Sequence, residues 1–210
     1  KAQHPTKLNH TKVAMPIELR NPNFKGIDVA KLTYPPESYV KFSPPSPVVL
    51  VTCISKEGKP NIITIGMYMP ISFRPPLLII GVSPKRYSHK LIRETGEFAI
   101  NVPPKNLVKQ AIYCGTHSGL KVDKFKETGL TPIPARVVKP PLIKECLAHF
   151  ECKLYAAHEA GDHTIFVGEV VSVTLEENLG REGLLNVLKA EPISHRGKYY
   201  YIPKLHYKAE

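Results

Sequence analysis

Proline restricts how this chain can fold more than any other residue, because 21 of its 210 residues are proline, about twice the ordinary share. Proline lacks the amide hydrogen that a helix needs and holds its own φ fixed, so it breaks helices and stiffens turns. This content argues against an all-helical bundle and favours short elements joined by turns. With 42% hydrophobic and 22% charged residues, the chain is not wholly disordered.

Apolar, β-branched runs predict six strands, and three shorter segments predict helices. The strands are expected at residues 48–54, 61–69, 77–82, 98–102, 146–157 and 163–175. The helices are expected at residues 84–95, with Ser83 as the N-cap and Gly96 as the stop, and at residues 104–114 and 181–190. Strands at hairpin spacing favour a mainly β fold, an antiparallel barrel rather than a doubly wound sheet.

The chain divides by composition into three predicted parts. Residues 1–45 are proline-rich without a clear period and are predicted to be an extended N-terminal arm. Residues 46–178 hold the strands and form the predicted core domain. Residues 179–210 are predicted to be a C-terminal helix and a tail packed on that core.

A net charge of +11 raises the question of nucleic acid, but no run of five basic residues occurs and aromatic residues do not alternate with them. The charge fits a solvated basic surface or a site for a small phosphorylated anion. No apolar run reaches the ~18 residues of a membrane span, so no membrane partner is expected. Four cysteines without a CxxC pair predict reduced, buried thiols in a cytoplasmic protein. No metal-ligand spacing is present.

The stretch from Val82 to His89 (VSPKRYSH) carries the clearest signal for a binding site. A predicted strand ends there and a helix begins, and the first amide groups of a helix are unpaired and partly positive. Lys85, Arg86 and Ser88 add cationic and hydroxyl donors, which together suit a phosphate. The alternative is an ordinary helix start with a solvated basic first turn. The glycines of a P-loop or of a dinucleotide fingerprint are absent.

Two further stretches contain candidate ligand contacts. Gly66 interrupts an apolar strand, which marks either a close approach of the backbone to a ligand or a bulge at a barrel corner. The segment 114–125 (CGTHSGLKVDKF) contains small polar residues that form either a ligand-facing turn or a surface loop. Cys114 and His117 could form a catalytic pair of a thiol and an imidazole, but no third residue that would orient the imidazole is evident. His163, after Gly161 and Asp162, is either a capping residue or a hydrogen-bond donor near a cofactor.

Five of these stretches occur together in one order: residues 47–61, 64–76, 86–102, 114–125 and 161–170. On them the chain resembles the flavin reductase-like family, most closely its flavoredoxin-type members. The resemblance implies an FMN-binding split barrel, which is a six-stranded antiparallel Greek-key barrel with short flanking helices. It also implies a homodimer with FMN near the subunit interface.

The resemblance also assigns cofactor contacts. Backbone groups of residues 64–67 would contact the edge of the isoalloxazine ring, and Ser72 would lie beside the ribityl chain or the phosphate. Arg86, Tyr87 and Ser88 would take the phosphate, and His163 would have a supporting role without being a catalytic residue itself. The cofactor-binding residues implied are Asn61, Thr64, Ile65, Gly66, Met67, Ser72, Arg86, Tyr87, Ser88, Ser118 and Lys124.

The function implied is that of an FMN-dependent oxidoreductase, which takes a hydride from NAD(P)H and passes electrons to a flavin, ferric iron or protein. The chemistry belongs to the cofactor, so no protein nucleophile is required. Residues 64–68 depart from the pattern of the two-component reductases, which favours tightly held FMN. The alternatives are an electron carrier of the flavoredoxin type without its own NAD(P)H activity, and a non-catalytic FMN-binding protein.

Overall fold

The structure is a computed structural model that describes residues 34–181 and 183–205. The chain divides into two units, residues 1–43 and 44–210. The described part of the first unit forms a 3₁₀ turn (Pro36–Ser38) and one α-helical turn, α1 (Tyr39–Phe42), within the arm that was predicted to be extended with short irregular turns. The rings of Tyr34 and Phe42 pack 4.6 Å apart. Residues 1–33 of the predicted arm lie outside the described residues.

The second unit is mainly β with short helices, as the sequence predicts. Its long strands are β2 (Val49–Ile54), β3 (Pro60–Ile65), β4 (Tyr68–Phe73), β5 (Pro76–Val82), β6 (Glu97–Val102), β9 (Ala148–Ala160) and β10 (His163–Leu175). Short strands are β1 (Ser46–Pro47), β7 (Pro132–Ile133), β8 (Leu142–Ile143), β11 (Gly180–Arg181), β12 (Leu184–Leu185), β13 (Ser194–Arg196) and β14 (Tyr199–Tyr201). The helices are α2 (Tyr87–Thr95), α3 (Val108–Thr116), α4 (Lys124–Thr128) and α5 (Val187–Ala190), with 3₁₀ turns at Lys105–Leu107 and Glu177–Leu179.

The long strands form one antiparallel sheet of seven strands in the order β3-β2-β6-β9-β10-β5-β4. Strands β3 and β4 lie at opposite edges of this sheet, yet only Gly66 and Met67 join them. A linker this short spans roughly 10 Å at most, so the sheet curls until its two edges meet at this corner. The sheet has one strand more than the six expected, because the predicted run at residues 61–69 is divided at Gly66 and Met67.

The core of this unit lies on both faces of the curled sheet. Val49, Val51 and Cys53 of β2 pack into the barrel with Ile80, Phe98 and Phe166. The alternate residues Val48 and Leu50 face the other way and pack with residues of α3 and of the segments that follow it, including Ala111, Phe125 and Ile143. A strand that is buried on both faces needs apolar residues at nearly every position, which explains the unbroken run at residues 48–51. All four cysteines are free and buried.

Helix α2 begins later than the sequence predicts. Ser83 is not its N-cap: residues 83–86 form a turn closed by a hydrogen bond from Arg86 N to Ser83 O at 2.9 Å, and the helix begins at Tyr87. Proline fits the second position of such a turn because its φ is already fixed. The predicted stop is correct, since Gly96 adopts φ 68° and its amide bonds Ile92 O.

Two other helix predictions need correction. Helix α3 does not stop before Gly115 but runs to Thr116, and Thr64 of β3 packs against that glycine and donates a hydrogen bond to Ala111 O at 2.6 Å. The helix expected at residues 181–190 is confined to α5, because a turn at Gly183 (φ 75°) pairs β11 with β12 before it. Among residues 34–181 and 183–205, no helix is long and apolar enough to cross a membrane.

Candidate functional site

A polar pocket lies where strand β3, the start of α2, the end of α3 and the start of α4 meet. Its walls come from segments that are distant in the sequence, since β3 is the first edge strand and the helices follow later. The residues that line it are Asn61, Ile63, Lys85, Arg86, Tyr87, Ser88, Cys114, Gly115, His117, Ser118, Gly119 and Lys124. In the described part of the chain no group of His, Cys, Asp and Glu side chains could hold a metal ion.

The start of α2 supplies positive potential to this pocket. Arg86 is the N-cap and makes no side-chain capping bond, so side chains do not satisfy the amide groups of the first turn. These groups and the helix dipole favour a negative charge at this end. Lys85 and Arg86, both exposed, add two full positive charges at the rim. Such an arrangement binds an anion such as a phosphate group.

Lys124 places a third cation in the pocket wall, and this one is buried, with 4% of the residue exposed. Its Nζ donates hydrogen bonds to Ile62 O and Cys114 O, both at 2.7 Å. Burial lowers the pKa of the Lys124 amine below its ordinary value, and the positive charge of Arg86 acts in the same direction. Within the described residues no carboxylate forms an ion pair with this ammonium group. An anion in the pocket would therefore compensate a buried charge and take its third N–H.

Asn61 and Ser88 form a buried polar pair at the base of the pocket. They are 3% and 1% exposed, and Asn61 Nδ2 donates to Ser88 Oγ at 2.7 Å. The other end of the amide, Asn61 Oδ1, is buried without a hydrogen-bond partner. Gly119 lies directly over it, because a Cβ at position 119 would overlap the Asn61 amide. Because Gly119 has no side chain, the backbone of its loop closes over the Asn61 amide and completes the base of the pocket.

The thiol of Cys114 lines the same pocket but is not a nucleophile. Burial raises its pKa from 9.0 to about 11, so it stays protonated at neutral pH. His117 does not bond it: the imidazole Nδ1 lies 3.1 Å from Tyr113 O and 3.1 Å from Thr116 Oγ1. The considered Cys114–His117 catalytic pair is not formed.

Six of the predicted cofactor residues are brought together here: Asn61, Arg86, Tyr87, Ser88, Ser118 and Lys124. The remaining five do not line the pocket. The Thr64 side chain is bonded to α3, and Ile65 is buried in the barrel core. Gly66 lies beneath the imidazole of His195, and Met67 is 54% exposed and lies against Gly81. These residues occupy the corner between β3 and β4.

Ser72 and His163 also lie apart from the pocket. Ser72 is half-buried beside an irregularity in the pairing of β4 with β5. His163 begins β10, and its Nδ1 lies 2.7 Å from Asp162 Oδ1. That hydrogen bond, the His163 charge and, more weakly, the nearby Lys85 lower the pKa of Asp162. The β9–β10 hairpin lies close to α2, because Arg93 pairs with Glu159 at 3.3 Å and His89 Nε2 lies 2.9 Å from Thr164 Oγ1.

Sequence reasoning considered a ligand-facing turn at Ser118 and Gly119, but it missed the part of Ile63, Gly115 and His117 in the pocket wall. The glycines gave no local signal beyond a polar loop, because what they touch is set by strand β3, more than 50 residues earlier. His117 was considered only as a partner of Cys114. Lys85 was recognised as a cation at the helix start but was not placed among the cofactor residues.

The fold and the pocket together define a mainly β barrel protein with a cationic pocket at a helix start. Comparison with known sequences makes this more specific. The chain belongs to the flavin reductase-like family, because the family's sequence profile, the flavin reductase like domain, matches residues 42–200.

Three similar proteins illustrate this relationship. The flavoredoxin of Desulfovibrio vulgaris is 30% identical, with 80% of this chain and 91% of that chain covered and a TM-score of 0.74. An FMN reductase (NADH) of Agrobacterium fabrum is 33% identical over 129 residues, which cover 59% of this chain and 67% of that protein. A structure from Shewanella frigidimarina with a split barrel domain is 20% identical, with 82% and 89% covered and a TM-score of 0.76. The barrel is thus a split barrel.

Proposed function

We propose that this protein is an FMN-dependent oxidoreductase that accepts a hydride from NAD(P)H and passes electrons to an acceptor, a flavin, ferric iron or a protein. One observation carries the proposal: a member of the flavin reductase-like family has a pocket with a buried, uncompensated ammonium group, that of Lys124, beside an open helix start. These groups suit a terminal phosphate, which distinguishes FMN from riboflavin.

The residues of the pocket take distinct parts in holding the phosphate. Arg86 and the first amide groups of α2 face it from the rim, and the Ser88 hydroxyl donates from the base. Lys124 supplies its third N–H. The Asn61 amide holds the hydroxyl in place, because Nδ2 donates to Ser88 Oγ and leaves the hydroxyl proton free for the phosphate. Each contact to a charged phosphate contributes roughly 1.5–3 kcal/mol.

The rest of the cofactor is assigned to the corner between β3 and β4. When bound, FMN supplies hydride and electron transfer. Residues 64–67 would contact the ring mainly through their backbone, and Ser72 would lie beside the ribityl chain. Tyr87 and Ser118 complete the wall around the phosphate, and His163 supports the rim through its bond to Asp162. These residues bind and orient, and none needs to act as a nucleophile or base.

A second candidate function is electron transfer without a nicotinamide site of its own. The similarity to the flavoredoxin of Desulfovibrio vulgaris favours it. In that case the FMN would receive electrons from a reduced partner protein. A protein that holds FMN without turnover would be reduced by neither donor.

Anaerobic reduction distinguishes these functions. The purified protein is loaded with FMN, and the visible flavin absorption is followed after mixing with NADH or with NADPH. Rapid bleaching by either nucleotide supports the reductase. Bleaching only by a reduced electron-transfer protein supports the carrier, and bleaching by neither would leave a binding protein. Failure to retain FMN on gel filtration would reject all three.

We also propose a homodimer, in which a second copy covers the exposed face of β4. Met69, Ile71 and Phe73 are 54%, 45% and 94% exposed on this edge strand, and such an apolar strip at a sheet edge favours a partner. Sedimentation at micromolar concentration should show a dimer, and Phe73→Ser should weaken it. A monomer that still binds FMN would contradict the proposal. A cytoplasmic location is proposed from the four free, buried thiols.

A further inference from the structure

The rim of the pocket carries an aromatic pair that the phosphate site does not use. The rings of Tyr113 and His117 stack with their centroids 3.9 Å apart and their planes 12° apart. His117 is exposed and lines the pocket, whereas Tyr113 is half-buried. Because Tyr113 covers one face of the imidazole, only the opposite face is open to a further ring.

Hydrogen bonds hold the imidazole in this orientation. Tyr113 O is a carbonyl and can only accept, so the proton on His117 lies at Nδ1. Thr116 Oγ1 lies 3.1 Å from the same nitrogen and donates its own proton to Ile112 O at 2.8 Å. Both neighbours therefore fix Nδ1 and hold the plane of the ring.

The charges around the pair suit a nucleotide. The imidazole lines the same pocket as Arg86 and Lys124, so a ligand that carries both a ring and a phosphate would meet the aromatic pair and the cations in one pocket. The turn at residues 118–121 is closed by Lys121 N to Ser118 O at 2.9 Å, and Lys121 is exposed. Lys121 therefore adds a positive charge to the loop that carries Ser118.

We propose that the Tyr113–His117 pair is a docking face for the adenine ring of a dinucleotide, which stacks on the open face of the His117 imidazole. The adenosine phosphate could belong to FAD, whose inner phosphate would replace that of FMN in the pocket, or to NAD(P)H bound beside FMN. The proposal rests on the proposed function. It adds the adenosine half of the ligand and names His117 as the residue that recognises it.

The test measures binding, not turnover. Flavin fluorescence gives the dissociation constants of FMN and FAD for the apo protein. Calorimetry gives the dissociation constant of NAD⁺ for the FMN-loaded protein; NAD⁺ is used because it cannot reduce the flavin. The variants are His117→Ala, His117→Phe, which keeps an aromatic face, and His158→Ala, an exposed histidine outside the pocket. Stacking of a base on an aromatic side chain corresponds to about 5- to 150-fold in affinity.

We expect His117→Ala to weaken the binding of FAD or of NAD⁺ by that factor and to leave the dissociation constant of FMN within about twofold of the wild-type value. His117→Phe should recover most of the lost affinity, because it keeps an aromatic face. Loss of FAD affinity identifies FAD as the source of the adenine, and loss of NAD⁺ affinity identifies the nicotinamide nucleotide. Unchanged FAD and NAD⁺ affinities, or an equal loss of FMN, would overturn the proposal while leaving the FMN function intact. His117-dependent FAD binding without FMN binding would reject only the FMN function.

Discussion

Ser88→Ala tests the base of the pocket, because the Ser88 hydroxyl has two tasks there. It accepts a hydrogen bond from Asn61 Nδ2 at 2.7 Å in the free protein, and it is proposed to donate to the FMN phosphate in the complex. Asn61 Oδ1 already lacks a partner. The substitution would therefore leave the buried amide with only a weak contact from Nδ2 to Cys53 Sγ at 3.9 Å.

The expected loss of stability follows from this burial. A buried donor that loses its acceptor costs roughly 1–3 kcal/mol. For a chain of this length each kcal/mol lowers the melting temperature by roughly 2–4 °C, so Ser88→Ala should melt roughly 2–12 °C lower. Loss of the hydroxyl contact should weaken FMN binding by about tenfold, which is about 1.4 kcal/mol.

Thermal unfolding of the apo protein and titration with FMN and with riboflavin measure the two effects. Arg86→Ala is the complementary variant: Arg86 is exposed, so the melting temperature should not change, while FMN binding should weaken by about 10- to 150-fold. Ser72→Ala, half-buried and outside the pocket, is the control for stability. Riboflavin, which has no phosphate, should bind the Arg86 variant as it binds the wild type. An equal loss of riboflavin and FMN affinity would refute the phosphate assignment, and an unchanged melting temperature for Ser88→Ala would refute the buried pair.

Two further predictions concern the barrel. Burial acts to raise the pKa of Glu151, but hydrogen bonds from three backbone amides outweigh it and lower the pKa below its ordinary 4.5. The ionised carboxylate therefore contributes its full stabilisation to the folded state above pH 4.5, and this contribution is lost as the pH falls through the folded-state pKa. Glu151→Gln should be less stable than the wild type at neutral pH and lose less stability on acidification, and parallel melting profiles between about pH 5 and 3 would contradict this. Gly168→Ala should destabilise by roughly 1–3 kcal/mol, because its Cβ would overlap the buried ring of Phe98. Gly180→Ala, whose Cβ meets only ordinary contact at 3.6 Å, is the matched control in denaturant unfolding, and equal effects would disprove the overlap.

The strands could be predicted because local pattern suffices for them. The run at residues 48–54 is apolar at nearly every position, and the structure buries β2 on both faces. The turn at Gly161 and Asp162 between two long strands was visible for the same reason. The order of a strand end, a basic turn and a helix start was predictable as well, since the three are contiguous at residues 82–89.

Helix boundaries were less predictable, because more than one local structure satisfied the same residues. Ser83 and Pro84 are compatible with a helix start and with a β-turn. The structure contains the turn, which is closed by the hydrogen bond from Arg86 N to Ser83 O. Leu184 and Leu185 fit a helical face, but a positive φ at Gly183 made them part of a short hairpin.

By itself, then, the sequence determined the mainly β class, the positions of most strands, the unpaired thiols and the basic segment at the start of α2. Only the tertiary structure decided that Lys124 is a buried cation bonded to Ile62 O, 62 residues away, and that Asn61 pairs with Ser88, 27 residues away. It also divided the second β-rich run at Gly66, where the two edges of the sheet meet. The physical reason is that local pattern reports which side of a segment is buried, whereas these contacts depend on which segments face each other once the sheet has curled.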